Sequence, residues 1–104
     1  MIEKLVWLKG NTYSTLAQNK KFTILDVNPN AIIIRVHSTG RERRINRNEL
    51  ESAWRILVTK GIITSVEILN LPSRNSAFIS SIFAQLGGVT YKTNPITLIY
   101  RDIN

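Results

Sequence analysis

Four arginines fall within the seven residues RERRINR, at positions 41, 43, 44 and 47. A guanidinium is a planar fork of N–H donors that matches the oxygens of a phosphate, so the first chemistry this stretch suggests is anion recognition. Arg35 lies just upstream across a turn, and Lys20 and Lys21 precede the preceding β-rich run, where they extend the same basic patch. A second constellation overlaps the first. His37 and Glu42 flank the turn, with Arg35 and Arg44 beside them. A His/Glu acid–base pair next to arginines that stabilise a phosphorane is the working set of a metal-free small RNase. The commoner role for such residues is a hairpin-end histidine near a cross-strand acid. No P-loop, dinucleotide fingerprint, zinc spacing or nucleophile elbow occurs, and the carboxylates are few and scattered. No cofactor and no metal are expected.

The overall charge points the same way. Fourteen Lys and Arg face seven Asp and Glu, giving a formal charge of +7 and a pI near 10.3. Such a balance favours polyanionic partners, nucleic acid or an acidic protein, and carries no information on fold. Cysteine is absent, which excludes disulfides and thiolate metal sites and fits a cytoplasmic protein. The opening MIEKLVWLKG carries Glu3 and too short an apolar run for a signal peptide, and Ala31 to Ile34 is far too short to span a bilayer. With 43% hydrophobic residues and little Gly or Pro, the chain reads as one soluble domain over 1–104. No membrane partner is expected, and self-association stays open.

The elements that must hold the arginines follow from pattern. FTILDV (22–27) and AIIIRVHS (31–38) are rich in β-branched residues and flank the turn signal NPN. STGR then leads into RERRIN, so residues 22–46 read as a three-stranded antiparallel meander. The simplest register sets Thr39-Gly40 at the tip. It pairs Val36 with Arg43, Arg35 with Arg44, His37 with Glu42 and Ile34 with Ile45. Alternation then places Ile34, Val36 and Ile45 on the core face with Arg41 and Arg43, and Arg35, His37, Glu42 and Arg44 on the other. Residues 1–21 fit either a short helix closed by Gly10 or a strand.

After the meander, Asn46 and Glu49 have the spacing of a capping box, with Ile45 and Leu50 as its hydrophobic staple. Leu50, Ala53, Trp54, Leu57 and Val58 continue at helical spacing, and Gly61 is placed to terminate a helix over 47–60. Arg47, Glu51 and Arg55 form an i, i+4, i+8 ladder, which assigns Arg47 and Arg55 to structure. Thr64 and Glu67 repeat the capping pattern for a short helix ended by Pro72, although VEIL also suits a strand. A third helix over about 75–86 carries Phe78, Ile79, Ile82, Phe83 and Leu86 on one face. Trp54, Phe78 and Phe83 are expected in the core, and Gly87-Gly88 stop the helix. VTYKT and ITLIY close the chain as a hairpin around NP, with Tyr91 and Tyr100 as candidates for base stacking.

Helix, short capped helix, third helix, Gly-Gly and hairpin, in that order over residues 47–100, is similar to the winged helix-turn-helix plan of many DNA-binding domains. With the meander read from pattern, the fold expected is α+β, an N-terminal antiparallel β-meander followed by two or three helices and a C-terminal β-hairpin, with a winged-helix-like C-terminal half. The resemblance makes 75–86 the recognition helix and 89–100 the wing. In that plan the helix enters the major groove and the wing touches backbone. Arg74, Asn75, Ser76, Ser80, Ser81 and Gln85 would then face the nucleic acid. The leading expectation is a non-enzymatic nucleic-acid-binding protein, DNA before RNA, that contacts phosphates through the arginine-rich hairpin. The alternatives are an interaction module for an acidic partner and the His37/Glu42 RNase.

Overall fold

Leu5 and Leu8 are both fully buried, three residues apart, which is the repeat of the 3₁₀ helix that Ile2–Leu8 form. Gly10, at φ 86°, ends that helix and turns the chain into a sheet. The N-terminal segment is therefore helical. The computed structural model of the protein describes residues 2–69 and 75–101.

Four antiparallel strands follow in sequence order: β1 (Thr12–Ser14), β2 (Lys21–Asn28), β3 (Ala31–Val36) and β4 (Glu42–Asn46). The expected meander thus gains an edge strand, because Tyr13 pairs with Phe22 and Ser14 with Lys21. Between β2 and β3 the Asn28 side-chain oxygen accepts from the backbone N–H groups of Asn30 and Ala31, at 2.9 and 3.0 Å. This is how Asn-Pro-Asn makes a tight reversal. A β-bulge between Ile24 and Asp26 breaks the strict alternation. It leaves Ile24 and Val27 paired to the core residues Ile34 and Ile32, and it turns Asp26 outward, where Lys9 meets it at 3.4 Å.

The β3–β4 register differs from the simplest one by two residues. Ile32 pairs with Ile45, Ile34 with Arg43 and Arg35 with Glu42. The connecting loop is correspondingly longer, with Val36 N–H donating to the Arg41 carbonyl and Gly40 N–H donating to the Val36 carbonyl. A slip of two keeps every side chain on its face, so Ile34, Val36 and Ile45 still share the inner side with Arg43. What changes is who faces whom.

Helix α1 (Arg47–Lys60) begins and ends where its signals stand. Glu49 reaches back to accept from the Asn46 N–H at 2.7 Å, and Gly61 takes the left-handed conformation, φ 76°, with its N–H on the Leu57 carbonyl. Leu50, Ala53 and Leu57 are buried, while Trp54 is half-buried with its ring edge-on to Phe83 at 5.3 Å and Tyr100 at 5.5 Å. The short helix α2 (Ser65–Leu69) opens with Thr64 and Glu67 bonded reciprocally. Ahead of it Ile62–Thr64 form a strand, β5, that sequence reading did not separate from the helix. The end of this segment at Pro72 lies outside the described residues.

Helix α3 (Ser76–Phe83) packs against both the N-terminal sheet and α1. Phe78 meets Phe22 edge-on at 5.2 Å, while Phe83 meets Trp54. Strands β6 (Val89–Lys92) and β7 (Thr97–Tyr100) make the closing hairpin, and β5 joins it in a three-stranded sheet of order β5-β7-β6. One cluster of buried side chains runs from Leu5 through both sheets to Leu98. The outcome is an α+β fold with the expected order of elements.

The exposed polar face expected of the third helix is not there. Ser81 is fully buried and donates its hydroxyl to the Ser14 carbonyl at 2.7 Å, Ser80 is buried with its hydroxyl on the Ser76 carbonyl, and Asn75 is only 7% exposed. Strand β1 lies against this helix and takes Ser81, Ser80 bonds within the helix and Asn75 bonds to β4 and Glu49, while Ser76 and Gln85 stay partly exposed.

Trp54 and Phe83 give the packing a test. Phe83→Ala should cost about 3–5 kcal/mol in urea unfolding, and Trp54→Ala about 2–3 kcal/mol because its ring is only partly buried. A Trp54→Ala cost below about 1 kcal/mol would place that ring outside the core.

Candidate nucleic-acid interface

Electrostatics sort the cations into two groups. The first group is paired: Lys9 with Asp26 at 3.4 Å, Arg35 with Glu42 at 3.7 Å, and Lys60 with Glu67 at 2.7 Å. Arg47 belongs here too, with Glu51 at 2.7 Å, Glu3 at 3.9 Å and the Pro29 carbonyl at 3.3 Å. Glu51 raises the Arg47 pKa above its ordinary value, first through their hydrogen bond. The ladder expected from Arg47 to Arg55 stops at Glu51, because Arg55 forms no ion pair among the described residues.

The second group makes no ion pair with any described acid; beside Lys4, Arg55, Lys92 and Arg101 it holds the five cations of interest, Lys20, Lys21, Arg41, Arg43 and Arg44. All five are exposed. Lys20, Lys21 and Arg41 meet because the β1–β2 turn and the β3–β4 turn lie at the same end of the sheet, where the His37 N–H donates to the Lys21 carbonyl at 3.0 Å, and Arg43 and Arg44 follow along β4 opposite Ile34 and Ile33. Alternation then divides them across the sheet. Lys20, Arg41 and Arg43 line a groove on the inner side, with a volume near 460 Å³ and Val36 and Phe78 in its wall. The Arg43 guanidinium carbon sits 5.4 Å from the Phe78 ring centroid, a cation–π contact that holds the head group in place without neutralising it. Lys21 and Arg44 belong to the outer side. Arg44 is steadied by donating its Nε–H to the Asn46 side-chain oxygen at 2.8 Å.

Several sequence-derived site residues change standing. Arg35 does not oppose Arg44, since the register gives it Glu42 as its partner. His37 does not oppose Glu42 either. Its Nε2 is 2.7 Å from the Thr23 hydroxyl, which in turn meets the Thr12 hydroxyl at 2.8 Å. The direct cross-strand pairing of His37 with Glu42 expected for an acid–base pair is therefore not the one the register makes. Asn75 is buried and donates its amide to the Arg44 carbonyl at 3.2 Å and to Glu49 at 3.0 Å, a joint between β4, α1 and α3. Arg74 lies outside the described residues. Tyr100 is committed to Trp54, while Tyr91 stands 49% exposed on β6.

The residue that sequence reading missed is Phe78. Its helical spacing marked it correctly as core, but nothing local showed that one ring edge would wall a groove of cations. No group of three or more His, Cys, Asp or Glu able to hold a metal occurs among the described residues, and no described helix is long and apolar enough to cross a membrane.

The paired acids make the fold pH-sensitive. Glu67 is held below the ordinary glutamate range, first by the Lys60 ammonium that donates to it, and Asp26 below its own, first by the Asn28 amide and then by Lys9. A lowered folded-state pKa stabilises the fold above the unfolded value and loses that contribution as pH falls through the folded one. The urea midpoint should therefore drop between about pH 5 and pH 3, and by less in Glu67→Gln and Asp26→Asn. An identical drop in parent and variants would contradict these assignments. Comparison with family models, curated proteins and solved structures finds no match, so the reading of function rests on the geometry of the basic end of the sheet.

Proposed function

We propose that the protein binds nucleic acid, duplex DNA in the first place, through phosphate contacts from the basic end of its N-terminal sheet. The observation that carries this reading is the gathering of Lys20, Lys21, Arg41, Arg43 and Arg44 with no described acid paired to any of them. Arg35, Arg47 and Lys60 each hold a carboxylate, whereas Arg55, like the basic cluster, has no described acid. Holding exposed like charges together without counter-charge costs free energy that a bound polyanion repays. Arginine is well suited to the task because its fork meets two phosphate oxygens at once.

The order of elements from α1 to the closing hairpin, similar to a winged helix-turn-helix, is the reason to place DNA before RNA. The recognition role is not carried to α3, because Ser80 and Ser81 point inward. Without an exposed reading face, binding is expected to position the protein on the backbone with little sequence preference.

Binding of this kind is dominated by counterion release. The logarithm of the association constant should fall linearly with log salt, at a slope near 0.9 per phosphate neutralised on duplex DNA. Arg43→Ala and Arg44→Ala should each lower the slope by about one or less. The double variant should weaken unrelated sequences about equally, with the unfolding midpoint nearly unchanged, since exposed charges add little to stability. Arg47→Ala is the control: its guanidinium is tied to Glu51, so binding should stay at the parent level. If the double variant binds DNA and RNA as the parent does, with the same slope, the patch is not the interface and an acidic protein becomes the better partner.

A further inference from the structure

The five cations of the basic end do not lie on one surface, and that division narrows how a duplex can meet them. Lys20, Arg41 and Arg43 stand on the inner side of the sheet, whereas Lys21 and Arg44 stand on the outer side. A single phosphate backbone laid against either side reaches one set and leaves the other in solvent. Two backbones, one on each side, use both.

We infer that this end of the sheet enters the major groove of duplex DNA tip first, with the phosphate backbone of one strand against each face. The inference rests on the nucleic-acid reading above and deepens it. Width selects the groove. A sheet with the side chains of both faces is about 10 Å thick, which the major groove of B-DNA, about 12 Å wide, admits and the minor groove, about 6 Å wide, does not. Depth agrees. Arg43 and Arg44 stand three and four residues beyond Gly40, roughly 10–14 Å along an extended strand. The major groove is about 8.5 Å deep, so with the tip at its floor the two guanidiniums come level with the phosphates at its rim. On the inner side the backbone lies in the groove of about 460 Å³ between the tip and Phe78, whose ring holds the Arg43 guanidinium at 5.4 Å. On the outer side Arg44 commits only its Nε–H to Asn46, which leaves both Nη groups for phosphate oxygens. Glu42 shares that side but is paired with Arg35 at 3.7 Å, so the pair adds no net charge to it. At the tip the Thr39 hydroxyl accepts from the Arg41 N–H at 3.2 Å and keeps its proton to donate. Serine and threonine hydroxyls bond to more than one kind of base edge, so Ser38 and Thr39 fit a floor contact with little sequence preference. Duplex RNA offers no such entry, because its major groove is deep and narrow.

The experiment measures binding to three duplexes of one sequence by fluorescence anisotropy: plain DNA, DNA whose cytosines carry glucosylated 5-hydroxymethyl groups, and RNA. The sugar fills the major groove without adding charge, so it should remove most of the parent protein's binding, as should the RNA form. Netropsin, which occupies the minor groove, should leave the protein bound to plain DNA. On plain DNA, Arg43→Ala and Arg44→Ala should each lower the salt slope by about 0.9, and the double variant by about 1.8, because the two arginines meet different strands. Both residues are exposed, and a matched circular dichroism melt shows that each variant folds. The comparison of duplexes uses the parent protein and stands without either variant. Glucosylated DNA or RNA bound as tightly as plain DNA, or displacement by netropsin, overturns the groove assignment while leaving the backbone reading intact. A double variant whose slope matches that of one single variant also overturns it, because only one face would then touch phosphate. Failure to bind any duplex at low salt overturns both.

Discussion

The pairing of Ile32 with Ile45 sets what the basic end of the molecule can do. Both side chains are fully buried, and a slip of one residue would turn the isoleucines out of the core. With the pair fixed, the residues beyond it have no freedom. Arg43 falls opposite Ile34 and leans over Phe78, Arg44 falls on the outer face, and Glu42 is delivered to Arg35. One acid thus serves Arg35, while Arg41 nearer the tip and Arg43 and Arg44 farther from it are left with no described acid. Two residues of slip would have reversed this, pressing Arg35 against Arg44 and giving Glu42 to His37. The charge pattern is a consequence of strand register.

A second constraint keeps that end of the sheet against the helices. Glu49 caps the start of α1 at Asn46 and also accepts from Asn75, whose amide reaches the Arg44 carbonyl as well. Strand, helix start and the residue before α3 meet at one hydrogen-bonded joint. Breaking it would leave polar groups of a buried Asn unsatisfied, at a cost of about 1–3 kcal/mol. The groove wall depends on the same joint, since Phe78 lies three residues beyond Asn75 and Arg43 one residue before Arg44.

The sequence made some of this legible and hid the rest for physical reasons. Helix 47–60 was readable at both ends because its caps are local: Asn46, Glu49 and Gly61 act within one turn of themselves. Both hairpins were readable from β-branched runs around Asn-Pro turns. The strands Thr12–Ser14 and Ile62–Thr64 were not, since three residues carry no periodicity and their partners lie far along the chain. The burial of α3 was hidden for a related reason. Its serines look like a polar face until Ser14, distant in sequence, supplies a carbonyl to Ser81. The basic cluster of the proposed interface, Arg41, Arg43, Arg44, Lys20 and Lys21, was legible from charge spacing. The exclusion of Arg35 and Asn75, and the role of Phe78, needed register and tertiary packing, which single-residue spacing does not encode.

The most direct test of the account is where nucleic acid touches the protein. Amide chemical-shift mapping of the protein titrated with a short duplex at low salt reads this residue by residue. The account predicts the largest shifts at Lys20, Lys21 and residues 37–44, with Phe78 moving through Arg43, and a fading of all of them as salt is raised. Shifts centred on the exposed Trp7 of the 3₁₀ helix or on Tyr91 of β6, with the basic end of the sheet silent, would contradict it.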